Sequence, residues 1–298
     1  MEKMNKKKAG RTITMKKIIV TGCNGQLGRA INKFYANRTD LELVNTDVDE
    51  LDITNIDQVI DHVNGIKPYA IINCAAYTAV DACETNQDIA FKVNTIGPRN
   101  LAIAAQKAEA KIIHISTDYV FDGTKKGAYY ETDATAPASV YGLTKEAAEK
   151  MVKDFCNRHF ILRTAWLYGE GKNFAKTMLR IAETNNKVRV VCDQIGTPTS
   201  AWELTKGIDS LLFSDNYGLF HATCEGQCSW ADFAKEVYRL AGKDMIVEEV
   251  TTQQYLADYP QQAKRPANSV LENYMFKMTN GYQFASWEDA IKEYMAEQ

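Results

Sequence analysis

A tyrosine and a lysine four residues apart form the pair with the clearest chemical potential in this 298-residue sequence. Tyr141 and Lys145 lie in the run Tyr-Gly-Leu-Thr-Lys, and positions i and i+4 of a helix share one face. A phenol with an ordinary pKa of about 10 is a poor acid–base group at neutral pH, and a neighbouring ammonium lowers that pKa by favouring the phenolate. Such pairs also occur by chance on helix surfaces, so the prediction of a general acid depends on its surroundings.

A segment that ends in hydroxyl side chains precedes this pair. The largely apolar run 112–115 predicts a buried strand, and it is followed by Ser116 and Thr117. Ligands of open parallel sheets bind at the carboxyl ends of the strands, so a hydroxyl here could bind the oxygen of a substrate carbonyl. His114 lies inside the predicted strand and is interpreted as a core histidine rather than as a base.

Three glycines near the N-terminus predict a nucleotide-binding turn. Gly22, Gly25 and Gly28 follow the first predicted strand and open the first predicted helix. Their roles would be a tight turn, close approach of the backbone to a pyrophosphate, and close packing of helix on sheet, with helix N–H groups facing the phosphates. Glycine spacing alone is a weak signal, and the strand before it and helix after it strengthen it. The candidate cofactor-binding residues are Gly22, Asn24, Gly25, Gln26, Leu27, Gly28, Asp47, Asp52, Ile53, Cys74, Ala75, Ala76 and Tyr77.

Asp47 bears on the choice of cofactor. It ends the second predicted strand about 20 residues after the glycines, where an acidic side chain accepts hydrogen bonds from the adenosine ribose. Its carboxylate would repel a 2′-phosphate, so the sequence favours NADH or dual use of NADH and NADPH. The alternative is an aspartate that only begins a turn.

The elements that must position these residues alternate between short β-branched runs and longer helical patterns, as in βαβ units. Strands are predicted at 17–21, 43–47, 69–74, 111–117, 160–165, 188–192 and 219–223. Helices are predicted at 26–36, 55–64, 84–108, 140–157, 173–183, 201–212, 230–241 and 287–295. The fold class is therefore α/β, a Rossmann-type doubly wound parallel sheet with a smaller, discontinuous substrate-binding lobe.

The pattern also predicts a domain organisation. Residues 1–14 are expected to be a disordered extension or a tag. Residues 15–166 form the predicted dinucleotide-binding domain, to which 201–224 return, and 167–200 and 225–298 form most of the substrate-binding lobe.

Composition excludes several classes of protein. The formal charge is −3, and because residues 1–17 carry +6, the remainder carries −9, which argues against nucleic-acid binding. The sequence contains neither a secretory apolar run nor a stretch of membrane-spanning length. Seven cysteines without paired spacing indicate a reducing, cytoplasmic setting. Cys224 and Cys228 have no second pair or nearby histidine to complete a metal site.

Several motifs together resemble the extended short-chain dehydrogenases/reductases and, within them, the dTDP-4-dehydrorhamnose reductase branch. The similarity extends from Met15 to the C-terminus. Its motifs are the glycine turn, Asn73–Asp81, Ser116–Gly123, Tyr141–Lys145, Arg163–Tyr168, Asn173–Met178, Asp193–Thr199 and Arg265–Ser269.

The resemblance implies a reaction and a set of roles. Thr117, Tyr141 and Lys145 would be the catalytic set, with Tyr141 and Lys145 also contacting NADPH or NADH. The cofactor would deliver hydride to C4 of a 4-keto dTDP-sugar, dTDP-4-dehydro-L-rhamnose, while Tyr141 protonates the oxygen. The candidate substrate-binding residues are Thr117, Asp118, Trp166, Asn173, Phe174, Arg265 and Asn268.

Some of these assignments have alternatives. An Arg265 guanidinium could bind a diphosphate through two parallel hydrogen bonds or lie on the surface beside Pro266. Phe174 could contact the nucleobase or pack in the core. Some relatives are described as binding Mg²⁺ at a dimer contact through glutamates, one of them on the helix after the glycine turn. Here that helix carries Arg29-Ala30-Ile31, so no metal site is expected, and either a monomer or a homodimer fits.

Two other functions compete with reduction. Relatives of this fold serve as NADP-binding regulatory subunits without turnover, although this chain keeps Thr117, Tyr141 and Lys145 together. Nucleotide-sugar epimerases and dehydratases share the scaffold, and dehydratases typically carry Asp-Glu after the threonine. The sequence here is Thr117-Asp118-Tyr119, which favours reduction with net consumption of the cofactor.

Overall fold

The computed structural model describes residues 15–297. The prediction for residues 1–14 lies outside the described residues. The elements are, in chain order, β1 (Lys16–Thr21), α1 (Gln26–Tyr35), β2 (Leu41–Thr46), α2 (Ile56–Ile66), β3 (Ala70–Asn73), α3 (Val80–Thr85), α4 (Gln87–Phe91), α5 (Gly97–Lys107), β4 (Lys111–Thr117), α6 (Val140–Phe155), β5 (His159–Thr164), β6 (Leu167–Tyr168), α7 (Phe174–Ile181), β7 (Lys187–Val191), β8 (Ile195–Gly196), β9 (Thr199–Ser200), α8 (Ala201–Leu212), β10 (Gly218–His221), β11 (Cys228–Ser229), α9 (Trp230–Leu240), β12 (Ile246–Val250), α10 (Thr252–Asp258), β13 (Asn268–Ser269) and α11 (Trp287–Ala296).

A six-stranded sheet in the order β10-β5-β4-β3-β1-β2 forms the centre of the molecule, and every strand pair in it is parallel. Its strands are apolar because helices cover both faces. Ile18 and Val20 pack with α1 and α8 on one face, while Ile19 packs with α2, α5 and α6 on the other. The order reverses between β1 and β3, which places a ligand crevice at the carboxyl ends of these strands. The predicted doubly wound fold is confirmed.

A second hydrophobic cluster lies beyond β5. It is built from α7, α9 and α11, and its large buried members include Tyr168, Phe233 and Trp287. The chain returns to the main sheet between these segments, because α8 packs on α1 and β10 pairs with β5. The domain boundaries given above stay a prediction.

Two parts of the secondary structure differ from expectation. The predicted helix 84–108 is instead α3, α4, a π-helical stretch Lys92–Ile96 and α5. Asn94 and Thr95 in that stretch are buried and bond Thr144 of α6, which holds the wider turn in place. The strand β12, which pairs with β7, and the helix α10 were not predicted. Between Met15 and Glu297 there is no helix that is both long and apolar enough to cross a membrane.

Candidate active site

The glycine turn leaves open space where a cofactor phosphate would lie. A Cβ at Gly22 would approach the Ala75 backbone to 2.7 Å, and one at Gly28 would approach the Cys23 backbone to 2.6 Å. At Gly25 it would meet only the Gly22 carbonyl oxygen, at 3.3 Å. This contact is tight but needs only a small shift, so the folded chain demands glycine less strongly here than at Gly22 or Gly28. Gly25 is also the N-cap of α1 and offers no capping side chain, so N–H groups of the first helical turn are available to an anion.

A groove of about 270 Å³ runs from this turn past the ends of β2 and β3. Asp47 is half-buried at its edge, and its Oδ2 accepts a hydrogen bond from the Asn24 backbone N–H at 3.2 Å. The groove brings together most of the predicted cofactor residues, and these include Gly22, Gly25, Asp47, Asp52, Ile53, Cys74, Ala75 and Ala76. The open helix N-terminus and the groove beside it suit the phosphate and adenosine end of a dinucleotide.

Three predicted cofactor residues direct their functional groups elsewhere. The Gln26 side chain accepts a hydrogen bond from the Gly169 N–H at 2.8 Å. Leu27 is buried in the core below the turn. The backbone N–H and C=O of Tyr77 both bond the Asn94 amide. These residues shape the groove, and only their remaining groups are available to a cofactor.

Thr117 and Tyr141 lie together at the carboxyl end of β4. The Thr117 hydroxyl donates to Asp118 Oδ1 at 2.8 Å, and Thr117 is one of the polar neighbours that act on the pKa of the Tyr141 phenol. Ser139 caps α6 by accepting from the Gly142 N–H at 3.2 Å, which fixes Tyr141 in the first turn. A Cβ at Gly142 would lie 2.1 Å from the Tyr119 carbonyl oxygen, so glycine there allows the helix to approach the strand end.

The pKa of Tyr141 shifts opposite to the expected direction. Burial, followed by the Asp118 carboxylate and Tyr119, raises the pKa of the phenol. Lys145 directs its ammonium to the Ile115 carbonyl oxygen, and burial lowers the pKa of this amine to about 8. Lys145 is not among the groups that chiefly set this pKa, so the net shift follows burial and not the expected effect of the ammonium. The phenol instead keeps its proton at neutral pH, as a proton donor requires.

Asp118 and Ser116 have separate environments. Asp118 is buried, and burial raises its pKa to about 6 against the hydrogen bonds that it accepts. Ser116 points away from the strand end and donates to Glu149 Oε1, which also bonds Arg163. Of the two hydroxyls that end β4, only Thr117 therefore belongs to the site.

A pocket of about 620 Å³ opens beside Tyr119 and extends to the second hydrophobic cluster. The indole of Trp166 stacks on Trp230 with ring centroids 3.6 Å apart. Trp166 has a left-handed backbone conformation, with φ of 49°, which is rare for a bulky residue and typical of functional sites. Phe174 packs on Trp230 with a centroid distance of 4.6 Å. The pocket therefore offers flat aromatic surfaces to a ligand.

Two predicted substrate residues are already engaged within the protein. Asn173 caps α7 and donates to the Gly169 carbonyl at 2.6 Å. The Asn268 amide donates to the Lys125 and Gly127 carbonyls. In this structure both amides hold backbone, which the short motifs did not reveal, and their contacts to a substrate stay a prediction.

Arg265 lines the pocket but does not present a free guanidinium. Its Nη1 bonds the Tyr119 hydroxyl at 3.2 Å, and its Nη2 lies 3.2 Å from Asp81 Oδ2. The same Asp81 accepts from the Ala263 N–H at 2.9 Å. In this structure Arg265 therefore ties its loop to the start of α3, instead of offering the two-pronged site expected for a diphosphate.

Sequence reasoning did not select Tyr119, Trp230 or Ser269 as site residues, although all three line the pocket. Tyr119 also packs edge-on against Tyr141, with ring centroids 5.4 Å apart. The signal for Tyr119 was its position in the Ser116–Gly123 motif. Trp230 follows Ser229, which forms a capping box with Asp232. This motif signals the start of a helix, and Trp230 is therefore its first residue, next to the preceding loop.

The residues where relatives are described as holding Mg²⁺ do not suit a cation. Arg29 of α1 pairs with Glu170 at 2.6 Å, and Lys33 pairs with Glu297 at 2.7 Å. Positive side chains already neutralise these carboxylates. In the part of the chain from Met15 to Glu297, His, Cys, Asp and Glu side chains form no group of three or more suited to a metal.

Comparison with known proteins agrees with this geometry. The family model described as RmlD substrate binding domain matches residues 15–298. The dTDP-4-dehydrorhamnose reductase of Aggregatibacter actinomycetemcomitans is 40% identical over 291 residues, covering 95% of this chain and 99% of the relative.

Solved structures give the same result. A dTDP-4-dehydrorhamnose reductase from Clostridium acetobutylicum is 48% identical with a TM-score of 0.91, and the match covers 94% of this chain and 99% of that one. The enzyme of the same name from Bacillus anthracis, solved in complex with NADP, is 40% identical with a TM-score of 0.91, over 95% of this chain and 100% of that one. The resemblance drawn from the motifs is thus confirmed, and the chain belongs to the dTDP-4-dehydrorhamnose reductase family.

Proposed function

We propose that this protein reduces the 4-keto group of dTDP-4-dehydro-L-rhamnose to give dTDP-L-rhamnose, with NADPH or NADH as the reductant. The observation that carries the proposal is the proximity of Thr117 to Tyr141, whose ring packs edge-on against Tyr119 of the aromatic pocket. Family membership supplies the substrate class. The product would serve the synthesis of cell-surface polysaccharide.

The chain's own residues would handle the proton and the substrate oxygen. Tyr141, protonated because its pKa is raised, would donate to the oxygen at C4 as negative charge develops there. Thr117 would hold the same oxygen by a hydrogen bond, and Asp118 would fix the Thr117 hydroxyl. When bound in the groove, the reduced nicotinamide supplies the hydride. Lys145 and Tyr141 would hold the ribose of that cofactor.

The aromatic pocket would take the nucleotide part of the substrate. Trp166 would line the sugar site, and Phe174 with Trp230 would offer ring faces to the thymine. An Arg265 released from Asp81 would meet the diphosphate. Asp118, at the inner end of the pocket, would contact the sugar hydroxyls. These roles are proposals that follow from position and chemistry.

The residue at one sequence position, 119, favours net reduction over the other reactions of this scaffold. Tyr119 follows Asp118 where dehydratases typically carry a glutamate, and its hydroxyl is bonded to Arg265. A regulatory subunit without turnover would have no need of Thr117, Tyr141 and Lys145 together. For the setting, we propose the cytoplasm, which suits seven free cysteines, and a monomer or a homodimer.

The test is an assay of the purified protein with dTDP-4-dehydro-L-rhamnose and either NADPH or NADH. We expect stoichiometric loss of the reduced-nicotinamide absorbance and formation of dTDP-L-rhamnose, identified by NMR of the product. Asp47 predicts substantial activity with NADH, and replacing Asp47 with Ser should shift the preference toward NADPH. Conversion of the sugar with no net change in absorbance would contradict the reductase proposal and favour epimerisation or dehydration.

A further inference from the structure

His114 is fully buried in β4 and connects the catalytic lysine to the rest of the sheet. Its Nε2 lies 3.4 Å from Lys145 Nζ, and its Nδ1 lies 3.0 Å from Asn73 Nδ2. This series of polar contacts extends to β1, because the Thr21 hydroxyl donates to Asn73 Oδ1 at 2.7 Å. Three strands and α6 therefore contribute to one buried polar network.

The orientation of the Asn73 amide is fixed by a backbone group. The Ala75 N–H, which can only donate, bonds Asn73 Oδ1 at 3.2 Å. The oxygen of the amide must therefore face Ala75 and Thr21, and the NH₂ must face His114. An NH₂ can only donate, so His114 Nδ1 must be the acceptor in this contact.

This arrangement determines the tautomer of the imidazole. Burial and the neighbouring Lys145 hold the pKa of His114 well below its usual range, so the ring is neutral. A neutral ring that accepts at Nδ1 carries its proton on Nε2. The Nε2–H therefore points at Lys145 Nζ, where it opposes a positive charge and can donate to the lone pair of a neutral amine.

The other groups around Lys145 act in both directions. Glu149, one turn further along α6, favours the ammonium. The Ile115 carbonyl oxygen accepts a hydrogen bond from the amine. Burial has the opposite and larger effect, and the result is a pKa of about 8. Because this pKa lies close to neutral pH, the protonation of Lys145 is sensitive to the groups beside it, and the His114 imidazole is one of them.

We propose that His114 is a positioning residue for the reduction, which presents its Nε2–H to Lys145 and thereby favours the neutral amine. The proposal rests on the proposed function only for the role of Lys145 in turnover. It assigns a task to a histidine that the sequence alone had suggested to be core packing. It also explains why β1 and β3 extend a polar chain beneath the site.

The decisive variant is Asn73→Asp, which has the same shape as the wild type. One carboxylate oxygen still accepts from Ala75 and Thr21, while the other now faces His114 Nδ1. The ring must then place its proton on Nδ1 and direct the Nε2 lone pair at Lys145, which favours the ammonium. We expect the alkaline limb of the kcat/KM profile to move upward by on the order of one pH unit.

The variant His114→Phe separates this effect from the added charge. Phenylalanine keeps a ring in the core but has no nitrogen, so only the direct charge effect of Asn73→Asp can remain. The shift caused by Asn73→Asp should therefore be clearly smaller in the His114→Phe background than in the wild type. Equal shifts in both backgrounds would overturn the proposal.

A second measurement is independent of catalysis and of any variant. The chain has four histidines, so ¹⁵N NMR of imidazole-labelled protein can resolve the tautomer of each. We expect the Nε2–H form of His114 in the wild type and the Nδ1–H form in Asn73→Asp. An Nδ1–H form in the wild type refutes the proposal even if the enzyme reduces its substrate. The expected tautomers without turnover would refute only the proposed function.

Discussion

At the scale of single residues, the environment of Tyr141 explains how a phenol can remain a proton donor. Burial and the Asp118 carboxylate oppose its ionisation, so the proton stays available until charge develops on the substrate oxygen. Sequence spacing identified the Tyr141–Lys145 pair and the hydroxyl of Thr117. It could not give the sign of the pKa shift, which depends on how deeply the phenol is buried and on Asp118, a residue from a different element.

Replacing Tyr141 with Phe should lower kcat by about 10² to 10⁴-fold, the contribution of a positioned general acid. The phenol would give the cofactor one ribose contact and does not line the groove, so NADH affinity should fall far less than kcat. Steady-state kinetics and titration of NADH fluorescence measure the two effects. As a control, Tyr130→Phe alters an exposed tyrosine remote from the pocket lining and should leave kcat unchanged. Full activity of Tyr141→Phe would exclude the phenol as the acid.

Asp118 should make the protein less stable as the pH rises. Its pKa is about 6 in the folded chain against 3.8 for an ordinary carboxyl, so the unfolded chain ionises first. Stability therefore falls between those two pH values, by about 3 kcal/mol in total. Asp118→Asn should raise the Tm at pH 7 and show a smaller gain at pH 4, while lowering activity.

The control for this prediction is Asp122, whose pKa is lowered by hydrogen bonds from Thr124. Asp122→Asn should lower the Tm at pH 7, opposite to Asp118→Asn. Thermal unfolding followed by circular dichroism at both pH values checks the two signs. A Tm gain for Asp118→Asn that does not depend on pH would show that the carboxylate is not the cause.

At the scale of elements, the glycine turn contains one glycine that the packing of the fold requires, Gly28, and one that the phosphate site requires, Gly25. Gly28→Ala forces a Cβ against the Cys23 backbone and should destabilise the fold by about 1 to 3 kcal/mol. Gly25→Ala needs only a small shift of the Gly22 carbonyl but intrudes on the phosphate site. It should raise the Kd for NADH about tenfold or more with a small change in Tm.

A third glycine provides the matched control. Gly65 lies in α2, where a Cβ would meet no atom within 4 Å. Gly65→Ala should therefore stabilise the helix by about 0.5 to 1 kcal/mol and leave cofactor binding unchanged. Calorimetric titration of NADH and thermal unfolding distinguish the three variants. Unchanged NADH affinity in Gly25→Ala would place the phosphates elsewhere.

Most long elements could be predicted from the sequence because each has one strong periodicity and clear ends. The predicted helix 140–157 ends two residues beyond α6, and the predicted strand 111–117 has the same bounds as β4. The predicted helix 84–108 failed because its interruption depends on Asn94 and Thr95 bonding Thr144, about 50 positions away. No local pattern encodes such a partner. The strand β12 was missed because its pairing with β7 is likewise distant in sequence.

At the scale of the whole molecule, two ion pairs connect α1 to the loop after β6 and to the residue that follows α11. Because Arg29 and Lys33 already neutralise Glu170 and Glu297, we expect turnover and Tm to be unchanged after dialysis against EDTA. Arg29→Glu removes the positive charge beside Glu170, and in that variant added Mg²⁺ should raise the Tm. A loss of activity on metal removal from the wild type would contradict the prediction.

Arg265 joins the loop before β13 to the start of α3 through Asp81. The interaction spans 184 residues along the chain and links the segment that lines the aromatic pocket to the dinucleotide half of the molecule. The sequence identified Arg265 as a site residue but could not show its partner, because Asp81 appeared only as the last residue of the Asn73–Asp81 motif, far away in the sequence. Substrate diphosphate and Asp81 would thus compete for one guanidinium.

The stacked indoles of Trp166 and Trp230 have an optical consequence. The electronic states of two indoles 3.6 Å apart are coupled, and each quenches the emission of the other. Their fluorescence therefore depends on any ligand that packs against the stacked rings. A nucleotide that enters the pocket should change the intrinsic fluorescence of the protein without any label, and the change should vanish in Trp230→Phe. Tryptophan fluorescence therefore reports whether a nucleotide is bound in the aromatic pocket, and binding can be followed in real time by stopped-flow mixing.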